Sequence, residues 1–263
     1  MSKFASRALR LAVMAAALAA ASAQAQVIRI GAGAFTPQAG MITFSEKAFG
    51  TVNPIYAPAD YGGGVSAPTV SFGGYFTGQA MGNAGSCPAG AALSGCVVGT
   101  PSAGLSLDGA SPTTRIVNDG ANPTSPVLSG SPTFNGPISI LFGNDIAGVG
   151  LDGGYFNAIG GTSIKAFDRN GNVIGSVANE GLGIEFLGLV TADNTNKIAG
   201  LQFSLVGAEP AGFAIDNLRF GTGDVIIGPG PAAPPQPVPA LGSYALWVLL
   251  LGFAVIAVVA ARR

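Results

Sequence analysis

Glycine and proline recur so often in this chain that long regular helices have little room to form. There are 41 Gly and 18 Pro among 263 residues, and both residue types interrupt helices and strands. The stretches between them are short, and apolar and polar residues alternate in several of them, such as 138–142, 184–186 and 201–205. Alternation of this kind places one set of side chains on the core-facing side of a strand. The pattern predicts an all-β domain of short strands joined by turns.

Strand candidates follow one another at intervals of roughly 10 residues, with no helical period between them. Further candidates are 41–45, 69–76, 149–156 and 213–220. This spacing predicts a β-sandwich of jelly-roll type.

Residues 168–172 read Asp-Arg-Asn-Gly-Asn and separate two strand candidates, 164–167 and 173–177. Asn-Gly between such stretches is the strongest short-range signal of a hairpin, so we expect an antiparallel pair. The same letters occur in calcium loops, but no glutamate follows at the distance needed for bidentate binding. We therefore interpret the segment as a turn.

The N-terminal segment, residues 1–25, has the layout of a secretory signal peptide. Three basic residues precede an apolar stretch that is too short to span a bilayer, and Ala23 and Ala25 supply the small residues of a cleavage site. A short buried helix is the alternative, but the order of charge, apolar stretch and Ala-x-Ala favours a signal peptide. Cleavage after Ala25 would leave Gln26 as the first residue of an exported protein.

The C-terminal segment contains 18 residues without a charge, 244–261, followed by Arg262 and Arg263. As a helix it would be about 27 Å long, close to the bilayer's hydrocarbon core of about 30 Å. Tyr244 and Trp247 stand at the entering end, where aromatic rings favour the headgroups, and the paired arginines favour the cytoplasmic side. A buried core helix is the alternative, but an all-apolar stretch ended by arginines favours a transmembrane helix.

Charged residues are scarce and histidine is absent, which removes several classes of chemistry. A chain without histidine has no Ser-His-Asp or Cys-His nucleophile system and no His-based zinc site. Only 7 of the 12 basic residues lie between the two terminal segments, against all 13 acidic residues, so the exported part is acidic. Because its Lys and Arg are few and dispersed, the composition argues against a nucleic acid partner.

The two cysteines, Cys87 and Cys96, both lie in the part of the chain that we expect to be exported. Thiols are oxidised outside the cytoplasm, so the pair predicts one short disulfide. A metal site or a redox pair is the alternative, but the spacing is not Cys-x-x-Cys and no third ligand is evident.

Residues 26–220 form the expected ectodomain. Within it, 83–135 are rich in Gly, Ser, Pro and Ala, and we interpret them as an insertion or a long irregular connection. After it, 221–237 form a Pro/Gly stalk: six prolines fall between positions 229 and 239 and favour an extended polyproline II conformation.

The chain ends with a short proline-containing motif, an apolar span and two arginines, and this layout over 238–263 resembles the PEP-CTERM class of bacterial sorting signals. The subtype is similar to the IPTL-CTERM form, Ile-Pro-Thr-Leu-x-x-Trp-Gly, with two identities. The pattern falls on Val238, Pro239, Ala240, Leu241, Tyr244 and Ala245, and the identities are Pro239 and Leu241. The resemblance implies recognition by an exosortase, a membrane transpeptidase-like enzyme of bacteria that have an outer membrane and make exopolysaccharide. The tail would then hold the exported domain at the inner membrane until cleavage near the motif.

The ectodomain also resembles domains that PEP-CTERM proteins carry, over most of 41–220. The segments that carry this resemblance are 42–46, 71–76, 168–172 and 212–218. That group has no shared biochemical activity, so this second resemblance implies no activity for this chain.

The apolar alternation in 213–220 changes phase at Asp216 and Asn217, because Phe213 and Ile215 fall on one face and Leu218 on the other. A β-bulge would account for the change. A terminal-strand Asp-Asn is also similar to one that helps hold a structural calcium in some jelly-roll carbohydrate-binding modules, and oxygen ligands suit calcium. We expect no other cofactor, and a hydrogen-bonded bulge is the alternative to calcium at Asp216.

The tetrapeptide Gly-Gly-Tyr-Phe occurs at 73–76 and again at 153–156. Tyr75 and Tyr155 could offer stacking surfaces for sugar rings, whereas core packing is the usual fate of strand aromatics. The single tryptophan, Trp247, lies in the apolar tail, so the ectodomain lacks the strongest stacking residue. Glycan binding is therefore a secondary hypothesis.

Two pairs of carboxylates are the candidates for a glycosidase, which needs two carboxyl groups about 5 to 9.5 Å apart in a cleft. They are Glu180 with Glu185 and Asp145 with Asp152. Carboxylates flanked by glycines in short loops are usually solvated, so the hydrolase hypothesis is the weakest of three.

The sequence favours a noncatalytic exported protein of the cell surface or extracellular matrix, sorted through its tail by an exosortase-type enzyme. Exopolysaccharide is a candidate partner. The alternative is a permanently anchored single-span membrane protein with a carbohydrate-binding ectodomain.

Overall fold

The computed structural model describes residues 27–119, 126–210 and 213–226. The predicted signal peptide, sorting motif and transmembrane helix lie outside these residues. Within them, no helix is long and apolar enough to cross a membrane.

Fifteen strands run through the described residues, numbered here in chain order, with three short 3-10 helices and no α-helix. The strands are β1 (Val27–Arg29), β2 (Gly40–Ile42), β3 (Ile55–Tyr56), β4 (Val70–Gly73), β5 (Gln79–Met81), β6 (Val97–Gly99), β7 (Thr114–Val117), β8 (Val127–Gly130), β9 (Ile138–Ile146), β10 (Gly148–Phe156), β11 (Thr162–Phe167), β12 (Val173–Ala178), β13 (Gly183–Thr191), β14 (Ile198–Leu205) and β15 (Ala214–Gly221). The 3-10 helices are Ala32–Ala34, Pro58–Tyr61 and Leu93–Gly95. The all-β prediction is confirmed.

The strands form two large antiparallel sheets and one small hairpin. The first sheet has the order β1-β13-β10-β15-β8-β7, with β2 paired to β15, and the second has the order β12-β11-β14-β9-β4-β3. Strands β5 and β6 pair separately. Most neighbours within a sheet are distant in sequence because the chain passes repeatedly between the sheets.

The main core lies between the two large sheets, where alternate side chains from both meet. Leu151 and Leu187 of the first sheet and Ile140 and Phe203 of the second are fully buried in one apolar cluster. Leu151 and Leu187 are also direct partners in the β10–β13 ladder, so both point inward at the same level. This arrangement confirms the sandwich prediction.

The hairpin predicted at Asn170-Gly171 is present. Strands β11 and β12 pair antiparallel on either side of it. The Asp168 carboxylate accepts the backbone N–H groups of Asn170 at 2.9 Å and Asn172 at 2.8 Å, and Gly171 takes a φ of 82°. The carboxylate therefore closes the turn, as expected for Asp at this position.

Residues 76–112, here called the covering segment, pack on the outer face of the second sheet. Phe76 and Leu105 form a second buried cluster with Phe167 of β11. The Gln79 and Gln202 side chains are hydrogen-bonded, with Gln202 Nε2 2.8 Å from Gln79 Oε1. A side chain at Gly200 would meet Leu105 at 2.7 Å, so glycine allows this close approach.

The interpretation of 83–135 as an insertion or irregular connection needs correction. Its described residues contain β6, β7 and β8, and the latter two belong to the first sheet. Ile116 and Leu128 are buried in the main core. The scarcity of aromatic residues suggested an irregular connection. Two short strands can nevertheless complete a sheet when their core-facing residues are all aliphatic.

The folded part also extends past the expected boundary at residue 220. Phe35 and Ile226 form a β-bridge, and Ile226 is buried against Ile30 and Val190. The first residues of the predicted stalk, up to 226, are therefore part of the sandwich.

Candidate functional site

A β-bulge interrupts β15 where the sequence predicted one. Gly150 pairs with Arg219 and Asp152 with Asp216, so the register shifts between these pairs. Asn217 has a φ of 47°, a left-handed conformation that Asn tolerates better than most residues. The extra residue lets the apolar side chains before and after the bulge reach the same core, namely Phe213, Ile215, Leu218 and Phe220. The bulge prediction is confirmed.

The bulge places two aspartates and an asparagine side by side. Asp216 is only 2% exposed, and its Oδ1 accepts the backbone N–H of Asn217 at 2.7 Å. The Asn217 side-chain amide donates to Asp152 Oδ2 at 2.8 Å. Because Leu151 and Leu218 point into the core, Asp152 lies on the outer face of the first sheet.

The described residues contain no group of three or more Cys, Asp or Glu side chains arranged to hold a metal ion. The Asp216 carboxylate instead bonds its own strand at the bulge. Calcium at Asp216 stays a prediction, and a chelator-dependent melting temperature would support it.

A small surface pocket, open to solvent, lies beside the bulge. Small residues of β10 and β15, among them Gly153, Gly154 and Ala214, take part in its lining. Its lining residues are Asp119, Val127, Asp152, Gly153, Gly154, Ile184, Ala214, Ile215 and Asp216. The pocket thus crosses the first sheet from β13 to β8 and carries carboxylates beside an apolar wall.

Tyr155 lies next to this pocket and is 51% exposed. Its ring stands over the backbone of Gly183, where a Cβ atom would lie 3.7 Å from the ring. Ile184, the next residue, is 44% exposed and lines the pocket. Core packing, the alternative for this tyrosine, is wrong: Phe156 fills the core position instead, with 1% exposure. Whether Tyr155 stacks on a sugar stays a prediction.

Tyr75, the matching residue of the first Gly-Gly-Tyr-Phe copy, is half-buried. Its backbone carbonyl accepts the N–H of Asp108 at 3.0 Å, so the covering segment runs beside it. The structure does not bring Tyr75 and Tyr155 together, because Tyr75 follows β4 of the second sheet whereas Tyr155 lies at the end of β10 in the first.

Two further residues on the outer face of the first sheet escaped the sequence analysis. The Arg219 guanidinium lies over the Phe186 ring, 5.6 Å from its centre, and Phe186 is the direct ladder partner of Asp152. Arg219 is half-buried. The contact between Arg219 and Phe186 depends on how β10 pairs with β13 and β15, and no local pattern reveals that pairing.

The carboxylates that the sequence offered for a glycosidase are bonded to other groups of the fold. Glu180 and Glu185 do converge, but on Arg29: Glu180 Oε1 lies 3.4 Å from Nη1, and Glu185 bonds Nη2. Glu185 also accepts the N–H groups of Glu180 at 2.9 Å and Gly181 at 2.8 Å. These carboxylates therefore fix a turn and an edge strand.

The other candidate pair, Asp145 and Asp152, is divided between the two sheets. Asp145 accepts a hydrogen bond from Arg169 Nε at 3.0 Å. Asp152 has the Asn217 amide as its partner.

Cys87 and Cys96 form a disulfide with a Cα–Cα distance of 6.1 Å, which confirms that prediction. The loop that they close docks on the sandwich: the Ala92 N–H donates to the Glu209 carbonyl at 2.9 Å, and Gly95 lies against Phe213.

Glu209 is a fully buried carboxylate that the sequence analysis missed. Its Oε2 accepts the N–H groups of Asn157 and Ala158, each at 3.0 Å. These two residues directly follow the second Gly-Gly-Tyr-Phe copy, so Glu209 fixes the chain where it leaves Tyr155. A glutamate between alanine and proline carries no local signal of such a role.

The residues assigned to processing lie outside the described residues: Ala23, Ala25, Val238, Pro239, Ala240, Leu241, Tyr244, Arg262 and Arg263. Comparison with protein-family models gives no match, and comparison with characterised proteins gives none either.

Proposed function

We propose that this chain is an exported, noncatalytic protein of the cell surface or extracellular matrix, in which a jelly-roll sandwich is delivered by processing of both chain ends. The Cys87–Cys96 disulfide is the observation that carries this proposal. Disulfides persist in oxidising compartments and are rare in the cytosol of most organisms.

The disulfide has a structural role that suits an exported domain. It closes a loop in a segment with little regular structure, and the Gly82 N–H beside it donates to the Cys96 carbonyl at 2.8 Å. Both cysteines of the chain are used, so no free thiol is left to react outside the cell. This arrangement supports residence in an oxidising environment.

The two ends of the chain supply the delivery route. Residues 1–25 carry the signal-peptide pattern, and Val27, at the start of β1, already belongs to the core. Residues 238–263 carry the sorting-signal pattern, for which an exosortase-type enzyme is the processing partner. An apolar span of 18 residues does not leave a bilayer unaided, so release needs a cut before Tyr244.

A noncatalytic role is supported by how the candidate acids are used. Glu180 and Glu185 hold Arg29, and Asp145 holds Arg169. A carboxylate committed to an arginine is poorly placed to donate or accept protons during hydrolysis.

Fractionation of cells that express the full chain and possess an exosortase tests this proposal. Mass spectrometry of the extracellular protein should find Gln26 at the start, an intact disulfide and no residues of 244–263. A Pro239→Ala, Leu241→Ala double variant should accumulate uncleaved in the inner membrane. A matched Pro234→Ala, Pro235→Ala variant, which alters only the stalk, should be released like the wild type.

Other results would reject parts of the proposal. A chain that keeps Met1 and two free thiols is not exported. A full-length chain that stays in the membrane with Arg262 and Arg263 intact favours the permanently anchored alternative.

A further inference from the structure

We propose that two copies of this chain associate through the exposed edge of β12, so that their second sheets join into one. Strand β12 is the outermost strand on one side of the second sheet, and among the described residues it pairs with β11 alone. This inference goes beyond the proposed export and sorting, because it assigns a partner to the folded domain and does not depend on the fate of the tail.

The composition of β12 suits pairing with a further strand. Residues 173–178 read Val-Ile-Gly-Ser-Val-Ala and contain neither a charge nor a proline. Charged side chains and proline are the usual means by which edge strands avoid contact with other chains. A register shift lies at the start of β12, opposite Ala166 and Phe167, and residues 175–178 beyond it pair regularly with β11. This regular stretch is a template for another strand.

The other sheet edges of the described residues are protected in ways that β12 is not. Short edge strands offer little for another chain to pair with, and five edge strands have only two or three residues: β1, β2, β3, β5 and β6. Strand β7 has four residues, but the chain before β3 lies along it. There the Asn53 N–H donates to the Thr114 carbonyl at 2.9 Å, and the Ile116 N–H donates to the Thr51 carbonyl at 3.1 Å. Strand β12 has six residues and neither form of protection.

The ladder with β11 fixes which backbone groups of β12 point outward. The Asn179 N–H donates to the Thr162 carbonyl at 3.0 Å, and residues that bond one neighbour alternate along an antiparallel strand. The backbone groups of Ala178 and Ser176, at the intervening positions, therefore point away from β11. In agreement, the Ala178 carbonyl accepts a hydrogen bond from Arg29 Nη1 at 2.7 Å. Ser176, which is exposed, presents its N–H and carbonyl on the same side.

The neighbouring edge strand, β1, leaves Ser176 uncovered. A Cβ atom at Gly175 would collide with the Val27 side chain, and Val27 is buried in the main core. Strand β1 therefore meets β12 from the core side, and its Arg29 reaches only the end of β12, at Ala178.

A second copy of β12 fits this edge because the strand is complementary to itself. Two copies related by a two-fold axis at Ser176 would exchange two hydrogen bonds there, each from an N–H to a carbonyl. Since β12 carries no charge, antiparallel pairing places no like charges opposite each other along the strand. A strand of another protein would need a matching free edge of its own, whereas a second copy necessarily supplies one.

Disulfide trapping at the two-fold axis tests the proposal. In a directly opposite, hydrogen-bonded antiparallel pair the Cα atoms lie about 5.5 Å apart, which is within the range of a disulfide. The full chain with Ser176→Cys, purified in detergent and oxidised with copper phenanthroline, should form a covalent dimer on a non-reducing gel. Ser45→Cys is the matched control: Ser45 is also exposed but lies in no strand, so this variant should stay mostly monomeric.

Sedimentation over a range of protein concentrations measures the association itself. Ser176→Lys places two ammonium groups side by side at the two-fold axis and should raise the apparent Kd of the dimer at least about tenfold. Ser45→Lys adds the same charge elsewhere on the surface and should leave the Kd unchanged. The melting temperature of each variant verifies that it is folded.

The proposal fails if Ser176→Cys gives no more covalent dimer than Ser45→Cys. Wild-type protein that sediments as a monomer at every concentration would overturn it as well. A dimer that forms equally in both lysine variants would place the contact elsewhere and reject β12 as the interface.

Discussion

The same four residues, Gly-Gly-Tyr-Phe, occur twice in this protein and lie in different surroundings. In both copies the phenylalanine is buried, Phe76 at 0% and Phe156 at 1% exposure. The tyrosines differ, because Tyr75 is half-buried whereas Tyr155 is half exposed to solvent. An identical local sequence therefore leads to two different surfaces.

The covering segment accounts for the difference. It passes directly over the first copy, where a Cβ at Gly74 would meet the carbonyl of Pro112 at 2.3 Å. The first copy thus lies between a sheet and a further layer of chain. The second copy forms the last four residues of β10 in the first sheet, where Tyr155 projects beside an open pocket. Exposure of the tyrosine is decided by what packs above it.

The largest expected effect is on stability, and it should differ between the two phenylalanines. Phe156→Ala should lower the free energy of unfolding by about 3 to 5 kcal/mol, because it leaves a cavity in the main core. Phe76→Ala should cost less, since Phe76 is the first residue of the covering segment and belongs to a smaller cluster, and this segment can settle into the space. Urea unfolding of both variants measures the difference. A larger loss for Phe76→Ala would show that the covering segment is as rigid as the sandwich.

Removing the disulfide should loosen the covered side alone. The Cys87→Ser, Cys96→Ser double variant should lose at most about 2.5 to 3 kcal/mol by the chain-entropy estimate for a short loop. Hydrogen exchange should speed up in β5 and β6, which adjoin the disulfide, and stay slow in β10. Faster exchange in β10 as well would contradict the separation of the two regions.

The next prediction concerns whether Glu209 holds in place the chain that follows the second Gly-Gly-Tyr-Phe copy. Glu209→Gln should lower the free energy of unfolding by about 1 to 3 kcal/mol. The hydrogen bonds to the N–H groups of Asn157 and Ala158 would lose the carboxylate charge, and the amide NH2 would replace Oε1, which also accepts from Asn157. Thermal melting measures the loss. Glu180→Gln is the control and should change little, since Glu180 is largely exposed. Equal effects of the two variants would refute the supporting role of Glu209.

The smallest effect concerns the tyrosines themselves. Tyr155→Ala should change the free energy of unfolding by no more than about 0.5 kcal/mol, as for other surface substitutions. Tyr75→Ala should cost more, about 1 kcal/mol, because part of its ring is shielded by neighbouring chain. Denaturant unfolding curves of the two variants measure both losses. A larger loss for Tyr155→Ala than for Tyr75→Ala would mean that solvent exposure does not distinguish the two tyrosines.

Local patterns predicted the features that depend on neighbouring residues. The turn at Asn170-Gly171 and the bulge at Asp216-Asn217 could be predicted because each follows from a few consecutive side chains. The contact between Arg219 and Phe186 could not be predicted in this way. The two residues meet through the pairing of β10 with both β13 and β15, and the bulge shifts that register.

The sequence by itself determined the all-β character, the hairpin, the bulge and the Cys87–Cys96 pair, since strand alternation, turn chemistry and two lone cysteines act over short distances. Only the tertiary structure decided which tyrosine faces solvent, that residues 114–130 complete a sheet, and that Glu209 is buried beneath the turn after Tyr155. The physical reason is that side-chain facing has a period of two residues within a strand. Burial depends on the layer above that strand, and here that layer comes from distant parts of the chain.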